Sequence, residues 1–198
     1  QGYDSLLIAR YGQFASMVNS AGTHYLFYAD ETNGLFLYDE SSDTWAASTV
    51  TGVDPINVVH VAVWKNRVWM TERGTAKSWY LAAGAVTGAA TSFNFGQQFK
   101  SGGFLIGLWN WTIDGGAGID DQLVALSAGG DVVIYQGTDP SAASTFGVKG
   151  VWNVGGFPYG RDVATTIGGD LLLVAKSGLR QLSQIVSGNF SASQFLSA

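Results

Sequence analysis

The segment Asp114-Gly-Gly-Ala-Gly-Ile-Asp-Asp121 gathers three carboxylates around three glycines in eight residues. A hard cation such as Ca²⁺ asks for this mixture, because glycine lets carboxylates and carbonyls converge on one point. The segment approaches the tandem Gly-Gly-x-Gly-x-Asp repeat that binds calcium, which also needs an apolar residue two places after its Asp. Here Gln122 holds that place, and a single copy occurs. A polar hairpin loop whose Asp side chains cap backbone amides accounts for the same residues. No metal ligand is assigned.

Other reactive groupings fail on spacing. Asp120 and Asp121 are adjacent, so on a strand they face opposite sides and cannot flank a glycosidic bond. Asp39, Glu40 and Asp43 read as a solvated turn. His60 sits inside the apolar run Val58 to Trp64, and His24 leads into a strand without a Cys or second His nearby, so zinc is unsupported. No Gly-x-Ser-x-Gly elbow and no phosphate-binding Gly-x-x-x-x-Gly-Lys loop occurs. Arg10, Arg67, Arg73, Arg161 and Arg180 are scattered, and the Ser-x-Asp-x-Gly-x-Thr-Trp box of sialidase-type hydrolases is lacking. Asn110-Trp-Thr112 and Asn189-Phe-Ser191 fit the glycosylation sequon. The residues therefore predict no catalytic, cofactor or metal site.

Seven tryptophans remain: Trp45, Trp64, Trp69, Trp79, Trp109, Trp111 and Trp152. Exposed on one rim they could stack on sugars; on packed strands they fill the space between sheets. Trp109 and Trp111 share a face at i, i+2, so they are buried or exposed together. Burial is the expectation.

The elements that must carry these residues repeat four times. Each copy is an apolar strand, a short turn usually built on glycine, and a second apolar strand. They start at Leu26, Val68, Leu123 and Leu171, offset by 42, 55 and 48 residues. A loose period in the forties filled with hairpins predicts β-propeller blades. The Asn33-Gly34 pair between apolar runs predicts a hairpin whose two central residues take positive φ. Residues 82–103 read as an excursion anchored by Phe93, Phe95 and Phe99, with the alanine-rich 82–90 as the one place for a helical turn. Residues 138–147 read as an exposed loop, and 187–198 as weakly patterned.

Composition agrees. Charged residues make up only 13% and aromatics reach 13%, with 27 glycines, which favours closely spaced strands over helices or disorder. The net charge of −5 lacks a basic run, so neither a nucleic-acid surface nor attachment to an anionic membrane is expected. The absence of cysteine removes disulfides and thiol chemistry. No apolar stretch of bilayer-spanning length occurs. The 198 residues read as a single all-β, antiparallel, propeller-like domain of about four visible blades, an incomplete propeller or a fragment of a longer chain, with a β-sandwich as the runner-up.

Two resemblances add to this. Tyr38-Asp-Glu-Ser-Ser-Asp-Thr-Trp45 resembles the Tyr-Asp…Asp-Thr-Trp phrase of kelch-type blades. A longer series runs Trp64-Lys-Asn-Arg-Val-Trp69, Ser78-Trp-Tyr-Leu81, Gly88-Ala-Ala90, Phe93-Asn-Phe-Gly96, Lys100-Ser-Gly-Gly103, Trp111 to Asp121, Tyr135-Gln-Gly-Thr-Asp-Pro140 and Gly168-Gly-Asp-Leu-Leu172. Together these resemble the repetitive β domain of tailed-bacteriophage virion proteins, over roughly residues 58–182. The resemblance implies a non-catalytic structural protein of the tail or head-to-tail connector. Such a protein would be assembled in the bacterial cytoplasm and would bind other virion proteins and copies of itself. The competing expectation is a carbohydrate-binding propeller that reads a receptor or cell wall through exposed tryptophans.

Overall fold

The computed structural model describes residues 12–114 and 119–188, with the side chains of 113, 114, 119 and 120 left aside. The chain divides into two compact units, Gln1–Phe95 and Gly96–Ala198. Each unit carries two antiparallel meanders, so the protein has the expected all-β, propeller-like class with four blade-like sheets. Every sheet is built from consecutive strands without a crossover, unlike the Greek-key connections of the β-sandwich alternative.

In the first unit, sheet 1 contains β1 (Gln13–Val18), β2 (His24–Asp30), β3 (Gly34–Asp39) and β4 (Thr44–Ala47). Sheet 2 contains β5 (Val58–Trp64), β6 (Arg67–Glu72), β7 (Lys77–Tyr80) and β8 (Thr91–Asn94). Alternation sends Met17, Phe27, Ala29, Leu35 and Leu37 of sheet 1 into one core with Val58, Val61, Val68 and Met70 of sheet 2. The predicted excursion at 82–103 contains a strand, with a 3-10 turn at Phe95–Gln98 after it. Residues 82–90 form turns instead of a helix, and β8 follows them to complete sheet 2. Of the three predicted anchors, Phe95 and Phe99 are buried and Phe93 is half-buried.

Paired positive φ, expected at Asn33-Gly34, occurs at another hairpin of this unit. Lys65 and Asn66 both take positive φ, 49° and 56°, between the paired Trp64 and Arg67, which is the tight primed turn. At Asn33-Gly34 only Gly34 does, at 76°, because Asp30 pairs with Gly34 and three residues bridge them. Its glycine is required twice over: a Cβ there would lie 2.3 Å from the Pro55 carbonyl oxygen.

In the second unit, sheet 3 contains β9 (Leu105–Asp114), β10 (Ile119–Ser127), β11 (Asp131–Gly137) and β12 (Phe146–Asn153). Sheet 4 contains β13 (Ala164–Ile167), β14 (Asp170–Ala175) and β15 (Gly178–Gln181). Val124, Leu126, Val132 and Ile134 of sheet 3 share a core with Leu171, Leu173 and Ala175 of sheet 4. The helix α1 (Leu182–Ser187) takes the place along the chain where the other sheets have a fourth strand, and buries Leu182 and Ile185 in that core. The sequence reading missed it. Six residues give too short a periodic signal, and Gln181 supplies no side-chain cap.

Candidate functional site

The carboxylates nearest to a catalytic role are occupied by the turns that hold the sheets. Asp30, fully buried, accepts from the Thr32 and Asn33 N–H groups at 2.5 and 2.7 Å and from Asn33 Nδ2 at 3.0 Å. Glu72 accepts from Trp79 Nε1 at 3.0 Å. Asp131, 1% exposed, accepts from the Ser101 N–H at 2.6 Å and from Asn153 Nδ2 at 3.0 Å. Asp170 accepts from Trp111 Nε1 at 3.0 Å and from the Ser183 hydroxyl at 2.6 Å, tying β9 to the start of α1. Each of these acids stands at the end of a strand beside a hairpin turn, and these donors lie from 2 to 59 residues away; Asp30 and Asp131 are buried, Glu72 and Asp170 half-buried. A buried carboxylate in such a setting is a structural cross-link.

The residues singled out from sequence fall apart in space. Of the glycine-rich segment, 115–118 lie outside the described residues; beside them Asp121 accepts from the Thr112 hydroxyl at 2.6 Å across a register pair. Gln122, which interrupts the calcium-like repeat, is buried at 2% exposure. His60 is buried on β5 opposite Thr71, whereas His24 is exposed at the start of β2. Arg67 donates to the Leu81 carbonyl, Arg73 to that of Ile56, and Arg161 to those of Leu105 and Ile106. Arg180 donates to the Ser177 hydroxyl, and Arg10 lies outside the described residues. Among the described residues no group of three or more His, Cys, Asp or Glu side chains could hold a metal ion. Asn110 is exposed on β9, and Asn189 lies outside the described residues.

Trp64, Trp69 and Trp111 are buried, and Trp45, Trp79, Trp109 and Trp152 are half-buried. Trp109 packs against the core that contains Trp111, so the i, i+2 pair goes inward together.

What remains is a groove that sequence reasoning did not find. It is about 330 Å³ in volume and is lined by Ser16, Met17, Val18, His24, Tyr25, Leu26, Tyr38 and Glu40. Its construction follows from register. Ser16 pairs with Leu26 and Leu26 with Tyr38; Val18 pairs with His24, whose carbonyl accepts from the Glu40 N–H at 3.2 Å. The period of two puts Ser16, Val18, His24, Leu26, Tyr38 and Glu40 on the face of sheet 1 opposite its core residues Phe27, Leu35 and Leu37.

The face is aromatic and only partly covered. Phe14, 61% exposed, packs its ring 4.8 Å from that of Tyr28, and Tyr38 lies 5.3 Å from Trp45. Burial, then the charge of Asp30 and a hydrogen bond to it, push the Tyr28 phenol up to about 12. At the rim the Tyr38 hydroxyl donates to Asp43 at 2.7 Å. Hydrogen bonding from the Ser41 hydroxyl, and then from its N–H, holds the half-buried Asp39 below the usual carboxylate range. An apolar floor with a hydroxyl, imidazole and carboxylate rim suits an amphipathic side chain better than a reaction.

The strongest signal for this groove was the alternation Phe14, Ser16, Val18 against Leu26, Tyr28: both strands are apolar on both faces, one face more than a single core needs. No family model matches the chain, and no curated protein matches it.

Proposed function

We propose that this protein is a non-catalytic assembly module of a tailed-bacteriophage virion, at the tail or the head-to-tail connector, which holds other protein surfaces together. The observation that carries the reading is the pairing of the aromatic, partly uncovered groove face of sheet 1 with acids that are consumed by hairpin backbones. A rigid scaffold with docking surfaces is what that combination serves; the virion setting comes from the resemblance over residues 58–182.

Glycan recognition is the weaker reading, since the seven tryptophans it would draw on are buried or half-buried. Antibody raised against the chain should decorate one position on particles of the phage that encodes it, seen by immunogold electron microscopy. Purified particles that carry none of the protein would overturn the virion reading.

A further inference from the structure

Tyr159 is 86% exposed, the most exposed of the large hydrophobic residues described. Its neighbours hold it there. Phe157 is buried in the core of the second unit, and Arg161, 3% exposed, donates to the carbonyls of Leu105 at 3.0 Å and Ile106 at 2.6 Å. The Gly156 carbonyl accepts from the Lys176 N–H at 2.9 Å, and Pro158 restricts the backbone between them. An aromatic ring with a polar tip on a loop pinned on both sides loses little entropy on binding, and such residues dominate interface energetics.

We propose that Tyr159 of one copy inserts into the sheet 1 groove of a second copy, so that the chain self-associates head to tail. This rests on the assembly reading. The groove's 330 Å³ has room for one aromatic side chain, with Val18 and Leu26 to cover the ring and the polar Ser16, His24 and Glu40 lining it as partners for the phenol. The surroundings are complementary in charge. The turn at the groove carries Asp39, Glu40 and Asp43. At the start of the Tyr159 loop the Lys176 methylenes run along Gly156, and Arg180 donates to the Ser177 hydroxyl, which in turn donates to the Val154 carbonyl; the loop's own carboxylate is Asp162. Opposite fields of this kind steer encounter and fix register. Because knob and groove are different patches, the contact is heterologous and generates a ring or a filament.

Light scattering over two decades of protein concentration tests this, using Tyr159→Ala to remove the knob and Ser16→Trp to fill the groove. Both positions are exposed, and unchanged thermal midpoints verify folding. The wild-type mass should rise with concentration, while each variant alone stays monomeric, with association weakened about tenfold or more. An equal mixture of the two variants should form a dimer and nothing larger, because each supplies the half the other lacks. A wild-type protein that stays monomeric, a variant that assembles like wild type, or a mixture that stays monomeric overturns the proposal. Particle labelling is independent of all three outcomes, so the virion reading stands or falls separately.

Discussion

Two turns rich in hydrogen-bonding side chains do opposite work. Around Asp131, the backbones of Ser101–Gly103, Gly129–Gly130 and Gly155–Gly156 meet at a buried carboxylate, and Asn153 Nδ2 reaches both Asp131 and the Ser101 hydroxyl. The turn from Asp39 to Asp43 has three acids but faces solvent; its bonds to Ser41 and Tyr38 are local. The same functional groups serve as a keystone where water is excluded and as a solvated charge where it is not. Burial, more than residue type, separates scaffold from surface.

The largest effect should come from Gly130→Ala. Gly130 has φ of 92°, and a Cβ there would lie 2.3 Å from the Gly156 amide nitrogen, a backbone atom that cannot move aside. We expect a loss of roughly 3 kcal/mol or more, or no soluble protein, in urea denaturation followed by tryptophan fluorescence. Gly74, with φ of 66° and open space around it, is the control; alanine there should cost only about 1 kcal/mol of backbone strain. Equal losses at the two sites would show that the three backbones do not meet as described.

Asp131→Ala comes next. It removes the acceptor of the Ser101 N–H and one of three acceptors of Asn153 Nδ2, which keeps the Ser101 hydroxyl and the Gly129 carbonyl, and hydrogen bonds to charged groups carry about 1.5–3 kcal/mol each when broken one-sidedly. A loss of about 3 kcal/mol is expected, with Asp131→Asn recovering part of it. A midpoint that did not move would remove the keystone role.

Legibility followed the same division. The four sheets were visible because β2, β6, β10 and β14 each contain a short apolar run followed by turn residues, a signal local in sequence. The Asp131 network was not, since its members lie up to 52 residues apart, between Ser101 and Asn153, and nothing near either marks the other. Strand β8 escaped because Thr91–Asn94 is an edge strand with one half-buried side chain, leaving no alternation to read. The groove was hidden for a different reason: its residues appear in the sequence as ordinary strand positions, and only the register of β1, β2 and β3 sets them side by side.

A third effect is confined to alkaline pH. Burial pushes the Tyr135 phenol up to about 12, beside Phe146 at 4.8 Å. The unfolded chain ionises near 10, so the protonated folded form loses its advantage as pH rises from about 10 to 12, by up to about 2 kcal/mol. Thermal midpoints of wild type should fall across that window faster than those of Tyr135→Phe. Parallel curves would mean that the phenol reaches water in the folded state.

The smallest effect on stability is expected at the acidic turn, and it sharpens the contrast most. Asp43→Asn keeps an acceptor for the Tyr38 hydroxyl and a residue type that tolerates the φ of 50°, while removing one exposed charge. Its denaturation midpoint should stay within about 0.5 kcal/mol of wild type. Self-association should nevertheless weaken at low salt, by less than the loss of Tyr159 causes, and the difference should vanish at high ionic strength, where exposed charges are screened. A midpoint that fell as far as that of Asp131→Ala would make this turn a second keystone. A salt-independent loss would mean that Asp43 acts through the shape of the groove instead of its field.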